Sequence, residues 1–112
     1  MKKLQNNFTT PEQSKRLLES GVPADSADCV LVRNLYFPIG EYEIKVLNGK
    51  YSRFIEMHDT WEILPCWSVG RLLEIEKICT KIPMMIEYGS IDKVVKYLEI
   101  RINDYDFSKL EE

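Results

Sequence analysis

Histidine is nearly missing from this sequence: His58 stands alone. Cysteine occurs three times, at Cys29, Cys66 and Cys79, with 36 and 12 residues between successive ones. Structural zinc sites use paired ligands a few residues apart, so this spacing argues against zinc. Small buried hydrophobes are the simpler reading of such cysteines. An odd number of them leaves free thiols as the default in a reducing compartment. The five glycines, at positions 21, 40, 49, 70 and 89, are scattered singly. They punctuate turns and form no glycine-rich loop that could cradle a phosphate. No apolar run is long enough to cross a bilayer. The opening residues, MKKLQNNFTT, carry two lysines with no apolar stretch behind them, unlike a secretory signal. A cytoplasmic protein without metal or cofactor is expected.

A positive balance is missing too. Fifteen Lys and Arg face eighteen Asp and Glu, a formal charge of −3. Phosphate backbones need a cationic surface, so nucleic acid is not an expected partner, and neither is a membrane. Lys2, Lys3, Lys15 and Arg16 near the start outnumber Glu12 and Glu19. Glu99, Asp104, Asp106, Glu111 and Glu112 near the end outnumber Arg101 and Lys109. That asymmetry is too small to specify a partner.

What is present suits one folded domain spanning residues 1–112, with residues 1–8 and 108–112 as frayed ends. At 112 residues and 45% hydrophobic content the chain can bury a real core without staples. Two Trp, six Tyr and four Phe argue against disorder. Thr10-Pro11-Glu12-Gln13 is a capping box with proline at the first helical position, and predicts a helix through Glu19. Gly21 supplies a left-handed stop and Pro23 prevents continuation. Cys29 to Phe37 is rich in β-branched and aromatic residues. Glu41 to Leu47 alternates, with Tyr42, Ile44 and Val46 on one face and Glu41, Glu43 and Lys45 on the other. Asn48-Gly49 predicts a hairpin, with Tyr51 to His58 as the returning strand in a register the sequence leaves open. Glu62 to Leu64 adds a short strand.

Ser68 caps a second helix, with Trp67 and Leu72 as a hydrophobic staple. Gly70 in its first turn suggests a close neighbouring backbone. Pro83 to Tyr88 reads as either a strand or an extended connection. Ser90 caps a third helix whose Ile91, Val94, Val95, Leu98 and Ile102 share one face. Helix, three or four strands, then two helices is an α+β order: an N-terminal helix, an antiparallel sheet with an Asn-Gly hairpin, and two C-terminal helices on one sheet face.

No catalytic set emerges. Cys66 precedes a helix N-terminus, where a thiol pKa falls, and His58 could serve it as a base. Asp59, adjacent to His58 on an extended chain, would point the other way. Glu41 with Glu43, and Glu74 with Glu76, have no convergent partners and read as solvated faces. Rings cluster around the expected sheet. Trp61, Tyr36 and Phe37 form the candidate interaction surface, because exposed aromatics are enriched at interfaces.

Two segments carry a resemblance. Thr9-Thr10-Pro11-Glu12-Gln13-Ser14-Lys15-Arg16-Leu17-Leu18, running into Gly21-Val22-Pro23-Ala24-Asp25-Ser26-Ala27-Asp28-Cys29, is the first. Leu64-Pro65-Cys66-Trp67-Ser68-Val69-Gly70-Arg71-Leu72-Leu73-Glu74-Ile75 is the second. Together they resemble a group of short uncharacterised proteins of gut Bacteroidales and their phages or mobile elements. The resemblance implies a cytoplasmic, mobile-element protein and transfers no catalytic residues. The expected function is a small interaction module that binds another protein, or itself, through the sheet face or edge. The alternative is a small-ligand binder or thiol enzyme at the Cys66-Trp67-Ser68 turn.

Overall fold

The computed structural model describes residues 7–34, 36, 41–80 and 90–111. Among them, α1 (Pro11–Ser20) begins as its sequence dictates. The Thr10 side chain accepts from the Gln13 N–H, and the Gln13 side chain accepts from the Thr10 N–H. Gly21 ends the helix at φ +114°, a left-handed turn that glycine adopts without strain. A short 3₁₀ turn, Ala24–Ser26, leads into β1 (Cys29–Asn34).

Three strands form one antiparallel sheet in the order β2-β1-β3, with β2 at Glu43–Val46 and β3 at Trp61–Cys66. Leu31 pairs with Ile44 on one side and with Leu64 on the other. β3 is longer than the expected Glu62–Leu64. Phe37 and the Pro83–Tyr88 segment lie outside the described residues.

One expected strand is a helix. Tyr51–Met57 forms α2, and the Asn-Gly hairpin is absent. A type I′ turn needs positive φ at both central residues, and only Gly49 has it, at +120°. Tyr51, Phe54 and His58 recur at i, i+3 and i+7, and these are the half-buried positions of the segment. Asp25 stabilises the start of α2 from a distance. Its carboxylate accepts from the Ser52 N–H at 2.8 Å and the Ser52 hydroxyl at 3.1 Å.

α3 (Val69–Cys79) starts at Ser68, whose hydroxyl accepts from the Arg71 N–H. No close backbone explains Gly70, since the nearest atom to a side chain there is Ser68 Oγ at 4.0 Å. α4 (Ile91–Ile100) is capped by Ser90. Phe107–Glu111 is a 3₁₀ turn whose Phe107 and Leu110 pack on the core.

Among the described residues most buried apolar side chains fall into two clusters, with Val30 and Val32 of β1 outside both. Leu17, Val22, Trp67, Leu72, Ile75, Val94, Val95 and Leu98 are among the side chains of the helical core. Cys29, Leu31 and Cys66 form a smaller one on the sheet, flanked by Phe8, Tyr42, Ile44 and Leu64. The C-terminal helices therefore enclose a core of their own with α1. They meet the sheet where β1 begins and β3 ends. The cause is local: Ser68 starts α3 two residues after β3 finishes, so Trp67 turns away from the sheet. Among the described residues no helix is long and apolar enough to cross a membrane.

Candidate functional site

The two segments singled out in the sequence touch each other. Trp67 is fully buried, and its Nε1–H donates to Ser26 Oγ at 3.0 Å. That hydroxyl in turn donates to the Pro23 carbonyl at 2.6 Å. Asp28 accepts from the Ser68 N–H at 3.0 Å and from the Ser68 hydroxyl at 2.6 Å. Thr9 exchanges main-chain and side-chain bonds with Trp67, and its carbonyl accepts from the Cys66 thiol at 3.5 Å. The Val69 N–H donates to the Asn7 carbonyl. The chain's own groups thus take the N–H groups of Trp67, Ser68 and Val69. Those three donors are therefore not open to an external anion.

Cys66 is 0% exposed and sits directly across from Cys29 in the β1–β3 register. Both are free thiols. The bond from Cys29 holds the Cys66 thiol below its usual range, against the effect of burial, while the same bond and burial push Cys29 upward. His58 lies at the other end of β3, stacked on Trp61 with ring centroids 4.5 Å apart and 5° between planes. The fold therefore does not bring His58 to Cys66.

Each sheet face carries its own polar and aromatic group. Trp61 is half-buried beside His58 and Phe54 of α2, with Lys45 Nζ 5.8 Å from its ring centre. Tyr36 and Met57 are 69% and 70% exposed. The opposite face carries a triad that sequence reading missed. Arg33 donates to both Glu62 oxygens, at 2.8 and 3.4 Å, and Tyr42 donates to Glu62 at 2.6 Å. The Arg33 guanidinium also lies 4.4 Å from the centre of the Tyr42 ring. The bonds from Arg33 and Tyr42 hold the Glu62 carboxyl below the ordinary carboxylate range. Burial and the Glu62 bond push the Tyr42 phenol up. The Arg33–Glu62 pair was hidden because it joins residues 29 positions apart, in a register that only the β1–β3 pairing reveals.

Beside the triad a hollow of about 410 Å³ opens between the start of α1 and β2, with Phe8, Thr9, Leu31, Tyr42 and Ile44 among its walls. Next to it runs the outer edge of β2. Among the described residues no strand pairs with that edge. Leu47 donates its N–H to the Asp28 carbonyl, one step beyond the Cys29–Val46 pair. Antiparallel alternation then turns the main chain of Glu43 and Lys45 toward β1 and that of Ile44 and Val46 outward. Val46 is 79% exposed.

Among the described residues no group of three or more His, Cys, Asp or Glu side chains is placed to hold a metal ion. No family model, curated protein or solved structure matches the chain.

Proposed function

We propose that this protein is a small protein–protein interaction module whose contact surface is the edge of β2 that no described strand pairs with, together with the adjoining sheet face. The observation that carries this reading is the edge itself: Ile44 and Val46 offer outward main-chain groups beside an apolar hollow. Unpaired edges of this kind accept another strand through main-chain bonds, while neighbouring pockets supply specificity. Three unbridged cysteines fit a reducing compartment, so the cytoplasm is the proposed setting. Half-buried Trp61, on the sheet's other face, and the exposed Tyr36 offer a second, separate ring surface for contact.

Site-specific photo-crosslinking in expressing cells tests this. A photoreactive residue at Val46 should give a discrete protein adduct. The same residue at Ile100, equally exposed on α4, should not. Adducts at both positions, or at neither, overturn the reading.

A further inference from the structure

Resting on the interaction-module reading, we propose that the partner is a second copy of this chain, joined β2 to β2 across a two-fold axis at Ile44. The pairing continues the sheet antiparallel from one protomer into the next.

Three features of the strand select that arrangement. First, outward main-chain groups must face outward groups, so even-numbered residues must oppose even-numbered ones. Second, a two-fold pairing is isologous, so the strand must be complementary to itself read backwards. The run Tyr42-Glu43-Ile44-Lys45-Val46 is. Centred on Ile44, it sets Glu43 opposite the partner's Lys45 and Lys45 opposite the partner's Glu43. Tyr42 meets the partner's Val46 on the other face, and Ile44 meets its own copy. Opposite charges and aromatic–β-branched pairs directly across strands are stabilising.

Third, the neighbouring registers are penalised. Sliding the axis to Glu43 sets two carboxylates face to face, and sliding it to Lys45 does the same with two ammonium groups. Odd shifts break the main-chain match and send the apolar set to the wrong face. Within one chain Glu43 and Lys45 approach only to 3.9 Å, with side chains 77% and 44% exposed, so both are available to a partner. The axis runs perpendicular to the sheet, which brings the two hollows beside Ile44 onto the same face.

An edge this short makes few bonds, so association at micromolar concentration is expected. Sedimentation equilibrium on the purified full chain tests it. The wild type should reach twice the chain mass of 13.2 kDa. Glu43→Lys sets lysine opposite lysine, and Lys45→Glu sets glutamate opposite glutamate. Each should weaken self-association on the order of tenfold. An equimolar mixture of the two should dimerise again, because every cross-strand pair is then of opposite charge. The double variant E43K/K45E should likewise recover wild-type mass. Circular dichroism on each variant confirms that the fold is kept.

A wild type that stays at chain mass at concentrations on the order of 100 µM overturns the proposal. So do single variants that dimerise as well as the wild type, or a mixture that fails to recover. If the chain is monomeric yet Val46 still crosslinks to a different protein, self-pairing is wrong and the interaction reading stands. If neither occurs, both fall.

Discussion

Ser26 shows how much one small side chain carries. Its hydroxyl accepts from the Trp67 indole and donates to the Pro23 carbonyl, so it satisfies the one polar atom of the largest buried ring. Ser26→Ala removes that acceptor and leaves a buried N–H without compensation. The expected cost is about 1–3 kcal/mol, read as a lower urea midpoint at unchanged slope. An unchanged midpoint would mean that the indole is satisfied in another way. Glu62 makes a different prediction, through pH. Its folded pKa lies below the value of 4.5 ordinary for an unfolded chain. Its contribution is therefore complete above that value and is lost as pH falls through the folded pKa. Between pH 6 and pH 3 the urea midpoint of the wild type should fall more steeply than that of Glu62→Gln. Equal slopes would show that the triad with Arg33 and Tyr42 adds nothing measurable, the common fate of half-exposed ion pairs.

Among the elements, α2 depends most on distant support. It has no buried residue, its Lys50 cap makes no side-chain bond, and its start is held by Asp25. Asp25→Ala should speed amide exchange throughout Tyr51–Met57 while moving the global midpoint by no more than about 1 kcal/mol. If exchange in α2 is unchanged, the helix is held by its rings on the sheet alone. This dependence also explains why α2 was misread. The Asn-Gly pair and a run of aromatic and branched residues are local signals for a returning strand, whereas the cap that favours a helix lies 27 residues upstream. The helices α1, α3 and α4 were legible because their caps at Thr10, Ser68 and Ser90 sit within the same turn they stabilise. Of the candidate site, the alternation of Tyr42, Ile44 and Val46 was legible, and so was a sheet face or edge as the place of contact. The central place of β1, the sulfur contact and the Arg33–Glu62–Tyr42 triad were not, because each is created by strand pairing across the loop that contains α2.

At the scale of the whole molecule, the two apolar clusters raise the question of whether the sheet and the helices unfold as one body. The chain measures 44 × 31 × 22 Å, elongated enough for two separate cores. Yet the seam between them is continuous. Cys66 belongs to the sheet cluster and the next residue, Trp67, to the helical core. Asp28 joins three elements there, with its carbonyl on Leu47 and its carboxylate on Ser68. Freeing the sheet would expose Cys29 and Cys66 and break the Asp28 bonds that hold Ser68 at the start of α3, so neither cluster can open cheaply alone. Unfolding should accordingly be two-state. In Trp61→Phe the remaining indole reports the helical core, and in Trp67→Phe it reports the far end of the sheet. Within each variant, indole emission and far-ultraviolet dichroism should give the same urea midpoint. A sheet-end midpoint below the dichroism midpoint in Trp67→Phe would show that the strands melt first.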